Sequence, residues 1–220
     1  MVFKVSVVLL HRNFIYSFIF VMMKEKIIQK ASEMFLKLGF KSVTMDDIAG
    51  QMCISKKTIY KYFGNKELLI DEATTSVHNH LHSLMNEIIA RNLNAIAENF
   101  AIRLMFTNMF KSTETSPLYQ LKKHYPEIYT TVVQREILEC KRCFSQNIEK
   151  GITQGLYRLE IDIEASVLFY YSLIFSINEN TPSERQNEIL ELKALEYHTR
   201  AIATTKGVLE LEEHLQKTKI

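Results

Sequence analysis

The 220-residue chain has no tryptophan, only three prolines and only six glycines. So little chain-breaking residue leaves long stretches that must be regular structure, and no internal repeat or low-complexity tract interrupts them. Three cysteines, an odd number in a chain this long, argue against a disulfide framework and for a reducing cytosol. Nucleophile elbow, phosphate-cradling glycine loop and zinc-protease motif are all missing, so nothing in the sequence supports an enzyme. Apolar residues make up 47% of the chain and recur at three- and four-residue spacing rather than alternating, which predicts an all-α protein.

Net charge is only +2, but it is unevenly spread. Between Lys24 and Lys66 nine lysines face Glu25, Glu33, Asp46 and Asp47, a local excess of five positive charges. With Lys4 and Arg12 also upstream, residues 67–220 carry a net charge of −5. A short basic module on an acidic body is the asymmetry of a protein that meets a polyanion at one end.

Residues 1–23 are strongly apolar. A signal peptide fits poorly, because Phe20-Val21-Met22-Met23 runs into Lys24-Glu25-Lys26 without a small-residue cleavage site. A spanning helix would bury His11, Arg12 and Asn13 near its middle, and the arginine alone costs about 2.5–3.5 kcal/mol on insertion scales. An anchor is therefore possible but disfavoured, and the other readings are translation starting at Met22 or Met23, which the sequence favours, and an ordered or loose apolar extension. A membrane partner is not expected.

From Lys24 to Leu38 the pattern predicts an amphipathic helix with Ile28, Ala31, Phe35 and Leu38 on its apolar face, closed by Gly39 as a left-handed cap. Thr44-Met45-Asp46-Asp47 resembles a capping box opening a short second helix whose apolar face is Ile48, Ala49 and Met52. Ser55 offers another N-cap only a few residues later. The third helix turns Ile59 and Phe63 inward and leaves Lys56, Lys57, Thr58, Tyr60, Lys61 and Tyr62 outward. Lysines neutralise phosphate, hydroxyls donate to phosphate oxygens, and a lysine near a helix N-terminus can reach guanine acceptors in the major groove. Two short capped helices joined by a tight turn, in the basic module, read as a helix-turn-helix with a recognition helix.

The run Thr44-Met45-Asp46-Asp47-Ile48-Ala49 through Ile54-Ser55-Lys56-Lys57-Thr58-Ile59-Tyr60-Lys61-Tyr62-Phe63-Gly64-Asn65-Lys66-Glu67-Leu68 closely resembles the DNA-binding signature of the tetracycline-repressor (TetR) family. It departs at Met52 and Cys53, where that family has Ala and Gly, and at Lys57, where Gly is frequent. A cysteine in a left-handed turn position costs roughly 1–2 kcal/mol. By position, the resemblance implies that Thr44, Tyr60, Tyr62 and Lys66 meet mainly phosphates, that Lys56, Lys57, Thr58 and Lys61 lie nearest the base edges, and that Ser55 caps the helix.

After the apolar extension over 1–23, itself a possible start-site artefact, the resemblance implies a three-helix DNA-binding domain over 24–70 and a larger helical effector-binding and dimerisation domain over 71–220. Helices are expected at 66–92, 95–111, about 117–123, 126–150, 163–178 and 183–204, with a short one after Gly207. The last two major helices would form a homodimer, placing two recognition helices on a palindromic operator in double-stranded DNA. The expected activity is that of a repressor released by a small-molecule effector, in a pocket lined by Met85, Ile89, Phe100, Met105, Met109, Phe144 and Tyr170. The competing reading is a membrane-tethered or ligand-binding helical protein with a vestigial helix-turn-helix. Cys140-Lys141-Arg142-Cys143 reads as two reduced core cysteines, and His78, His80 and His82 as exposed histidines without a third ligand. No metal and no cofactor are expected.

Overall fold

Glycine, asparagine and proline punctuate the helices of this chain. The computed structural model describes the backbone of residues 2–218 and the side chains of 18–218, and every regular element among them is helical. In order these are α1 (Val2–Leu38), α2 (Met45–Gln51), α3 (Lys56–Tyr62), α4 (Lys66–Ile89), α5 (Ala95–Phe110), α6 (Pro117–His124), α7 (Pro126–Thr153), α8 (Ile163–Asn180), α9 (Glu184–Ile202) and α10 (Thr205–Thr218). Packing divides the chain into one unit up to Val77 and a second from His78 onward, the boundary falling inside α4.

In the first unit α1 ends where Gly39 takes φ 92°, its N–H returning 2.9 Å to the Phe35 carbonyl. Phe40 then folds back beside Phe35, their ring centroids 5.5 Å apart. The buried face of α1 is Ile27, Ala31, Met34 and Phe35 rather than the expected Ile28, Ala31, Phe35 and Leu38. Ile28 is only half-buried and Leu38 is exposed. The spacing rule permits both faces; the structure buries the one rotated toward Ile27, as it does Ile48, Ile59, Leu69 and Ile70 of the same unit. No break separates α1 from the apolar extension at Lys24. Among the described residues no helix is long and apolar enough to cross a membrane. The side chains that would decide the anchor reading, His11, Arg12 and Asn13, lie outside the described ones.

The second unit is organised around a core to which Ile96 and Phe100 of α5, Ile148 of α7, Tyr170 of α8, Leu195 of α9 and Leu211 of α10 contribute. A buried polar network sits beside this core. Glu98 accepts from Asn147 Nδ2 at 2.7 Å and from Lys150 Nζ at 2.6 Å, while Asn147 Nδ2 also donates to the Ala95 carbonyl at 2.9 Å. Its groups are mutually satisfied, which is the condition for carrying them inside. Gly155 takes φ 68° and directs the chain into a connection that Thr204 fastens, its N–H bonding the Leu156 carbonyl at 2.9 Å and its hydroxyl the Gly155 carbonyl at 2.8 Å.

The outer faces of α8 and α9 are apolar and uncovered in the single chain. Leu168, Phe169 and Leu173 on α8 and Ile189, Leu190 and Tyr197 on α9 are all exposed, Phe169 by 66% and Tyr197 by 70%.

Candidate nucleic-acid interface

Two side-chain caps build the helix-turn-helix. Thr44 Oγ1 accepts from the Asp47 N–H at 3.1 Å while Asp47 Oδ2 accepts from the Thr44 N–H at 2.8 Å, so the capping box read from sequence is formed on both sides. Hydrogen bonds from the Thr44 side chain, then from its backbone, hold the exposed Asp47 carboxyl below its usual range. Ser55 Oγ accepts from the Thr58 N–H at 3.1 Å and opens α3. Replacing such a cap typically costs about 1 kcal/mol.

The turn between the two helices is tight. Ile54 N–H reaches the Ala49 carbonyl and Cys53 N–H the Gly50 carbonyl, both at 3.1 Å, which leaves Cys53 at φ 54°. The strain foreseen at this cysteine is therefore present in its backbone. Ile59 and Phe63 turn inward as expected and are at most 2% exposed.

Of the outward residues, Lys56, Lys57, Tyr60 and Lys61 are exposed and Thr58, Tyr62 and Lys66 half-buried. They are not equivalent. Lys56 Nζ pairs with Asp46 Oδ2 at 2.8 Å, which raises its pKa above the ordinary lysine value, and its ammonium stands 5.9 Å from the Tyr60 ring centroid. Thr58 shares its hydroxyl with Ser55 at 2.8 Å. Lys66 donates to the Lys41 carbonyl at 3.2 Å, following an α4 N-terminus that Asn65 Oδ1 caps at 2.8 Å to the Leu68 N–H. Tyr62 packs on Phe20, centroids 4.4 Å apart, and Lys61 Nζ lies 5.8 Å from the same Phe20 ring. Sequence reading did not foresee this contact between the extension and the recognition helix. Among the described residues neither Lys57 nor Lys61 has a polar partner, and of the two only Lys61 lies over a ring, so Lys57 stands open to an incoming ligand.

The residues suggested for an effector pocket separate into two groups. Phe100 and Tyr170 are core residues, Phe100 stacked on His214 at 4.9 Å and Tyr170 on His198 at 4.4 Å, and Phe144 sets its edge against Tyr170 at 4.9 Å. Met85, Ile89, Met105 and Met109 are only partly buried.

The histidine and cysteine motifs of α4 and α7 also differ from expectation. His80 is exposed, but His78 and His82 are half-buried because both face Glu136 of α7. Cys140 and Cys143 are free thiols on that same stretch of α7, and burial pushes them up to about 12 and about 11, so both are protonated at neutral pH. Glu136 and Glu139 carried no signal by themselves, since acids three apart on a helix are ordinary.

A model of the "Bacterial regulatory proteins, tetR family" matches residues 27–73, the stretch holding both caps and the recognition helix. The chain is 31% identical over 151 residues to the HTH-type transcriptional regulator YdeS of Bacillus subtilis (strain 168), covering 68% of this chain and 74% of that protein. It is 23% identical over 185 residues to IcaR of Staphylococcus aureus (strain Newman), described as the "Biofilm operon icaADBC HTH-type negative transcriptional regulator", covering 77% of this chain and 96% of that one. A transcriptional regulator from Cytophaga hutchinsonii ATCC 33406 shares the fold with a TM-score of 0.67 at 19% identity, over 82% of this chain and 98% of the other. Signature, fold and relatives agree, and the chain belongs to the tetR family of bacterial transcriptional regulators.

Proposed function

We propose that this regulator is a cytoplasmic homodimer that represses transcription by binding a palindromic operator through Lys56, Lys57, Thr58, Tyr60 and Lys61, and is released when an effector binds its helical body. The observation that carries the reading is the face of α3, the second of two side-chain-capped helices, on whose first turn Lys57 stands exposed and unpaired. Thr44, Ser55, Tyr62 and Lys66 frame that face and supply phosphate contacts or positioning. Repression is supported by the negative regulator among the relatives. The domain partition that goes with this reading is a DNA-binding module up to about residue 70 and an effector and dimerisation body after it. Within the body, Met85, Ile89, Met105 and Met109 are the suggested pocket residues not already packed into the core.

Selection of bound sequences from random duplex DNA tests the reading. The full chain is expected to recover a palindrome, with affinity that falls steeply as salt rises. Lys57→Ala is expected to relax selection at one position per half-site, where a good base contact contributes about 1–3 kcal/mol of discrimination. Failure of the folded chain to enrich any sequence would refute the operator function and favour a vestigial helix-turn-helix.

The dimer has its own test. The uncovered apolar faces of α8 and α9 form the kind of patch that marks a protein interface. Placing a charge there, as in Phe169→Glu, is expected to convert the dimer to a folded monomer in analytical ultracentrifugation and to abolish palindrome binding. A variant that sediments as wild type would exclude this surface as the interface.

A further inference from the structure

His78 and His82 occupy successive turns of α4, with ring centroids 4.2 Å apart. Glu136 on α7 faces them both: its Oε1 is 2.5 Å from His78 Nδ1 and its Oε2 is 3.8 Å from His82 Nε2. One ligand atom from each of the three side chains lies within 4.8 Å of the other two. The second nitrogen of His82, Nδ1, lies 3.4 Å from Glu139 Oε1. Glu139 is in turn held by Arg142 Nε at 2.9 Å. The histidine and glutamate side chains are sheltered, from 15% exposed at His78 to 27% at Glu139.

We propose that His78, His82 and Glu136 form a binding site for a divalent first-row transition ion of the zinc class, with Glu139 as the residue that positions His82. Two imidazoles and one carboxylate are a ligand set that suits zinc and its neighbours, whereas calcium and magnesium take oxygen ligands. Bonds of about 2.0–2.1 Å in a tetrahedral site separate the ligand atoms by about 3.3 Å. The two contacts use different oxygens of Glu136, so binding an ion through one of them requires the carboxylate and the imidazoles to turn about their side-chain bonds. A solvent molecule completes four-coordination. In the loaded site Glu139 would accept from Nδ1–H of His82 and leave its Nε2 lone pair for the ion, the carboxylate–histidine arrangement that fixes the ligating tautomer.

The sequence separates the ligands by more than fifty positions and shows only an i, i+4 histidine pair on one helix and an i, i+3 acid pair on another. Packing of α7 against α4 supplies the third ligand. As an effector the ion would act through α4, which carries both histidines and starts at Lys66 directly after the recognition helix; that consequence rests on the function proposed above, while the site itself does not.

Calorimetric titration of the chelator-treated full chain with zinc, without DNA, tests the site. One ion per chain is expected, with binding lost in Glu136→Gln and weakened about 10–100-fold in Glu139→Gln. Both variants keep a hydrogen-bonding side chain of the same size, and circular dichroism monitors their fold. Cobalt loaded in place of zinc is expected to show the visible bands of a four-coordinate nitrogen and oxygen site without sulfur charge transfer, unchanged by the double substitution of Cys140 and Cys143 to serine. No zinc uptake, uptake undiminished in Glu136→Gln, or uptake lost with the cysteines would each overturn the assignment. Operator affinity with and without zinc is read separately. A chain that takes up zinc but binds no duplex leaves the site standing and refutes the operator function, and one that binds its operator without taking up zinc does the reverse.

Discussion

Gly207→Ala is expected to destabilise the second unit by about 3 kcal/mol, at the upper end of the range for overpacking. Gly207 lies in the first turn of α10, where an added Cβ would stand 2.1 Å from the Leu156 carbonyl oxygen and 3.0 Å from its carbon. Neither atom can rotate away. The oxygen is pinned by the Thr204 N–H at 2.9 Å and the Thr204 hydroxyl at 3.2 Å, so relief would have to move α10 or break the clasp that holds the Gly155 connection. The same substitution at Gly50 supplies the contrast. A Cβ there meets nothing within 4 Å, and the residue sits in the last turn of α2. Gly50→Ala is therefore expected to stabilise slightly, by less than the about 0.5–1 kcal/mol that the propensity difference is worth in a helix interior. Urea midpoints of both variants at constant m-value check the pair. Equal midpoints would mean that α10 does not pack closely on the connection.

Acidification is expected to remove a contribution of up to about 3 kcal/mol that depends on His198. This histidine is 7% exposed and stacked on Tyr170, and burial alone depresses it from 6.5 to about 4. The folded state holds the neutral ring while the unfolded chain protonates near its ordinary value. Stability that is fully present above pH 6.5 is accordingly lost as pH falls through the interval down to 4. Glu184 works in the opposite direction, because burial raises it from 4.5 to about 7 and its contribution is lost as pH rises across that interval. The two slopes offset each other between pH 4.5 and 6.5. The informative quantity is therefore the stability difference between the wild type and His198→Gln at each pH, which is expected to shrink or reverse steadily from pH 7 to pH 4. A constant difference would show that His198 titrates normally in the folded protein.

The helix-turn-helix was the most legible part of the chain because its determinants are local. Thr44 and Asp47, or Ser55 and Thr58, lie three residues apart, so their hydrogen bonds follow from backbone geometry once the helix starts. The left-handed positions behaved in the same way. Gly39 closes α1 as its place after the last periodic residue implied, and Cys53 takes the strained conformation that its position in the turn requires. Pro126 likewise starts α7, where a missing N–H costs nothing.

Where the reading failed, the deciding contacts were distant in sequence. Leu38 fits the apolar stripe of α1 as well as Ile27 does, and only the folded unit shows that Ile27 is the one covered. Phe20 had no evident role until Tyr62 came against it. His78 and His82 looked like solvent-facing residues, since their partner is Glu136, 58 positions away from the first of them.

By itself, then, the sequence determined the helical class, the basic module, the two caps, the turn between them and the family, all of which depend on residues a few positions apart or on composition. Tertiary structure alone decided which face of α1 is buried, that Lys56 is paired with Asp46 while Lys57 stands open, and that a histidine pair on α4 meets a glutamate on α7. The physical reason is the same in each case. Helix propensity and capping act within a turn or two, whereas the pairing of side chains from different helices is set by how those helices pack, which no local pattern encodes.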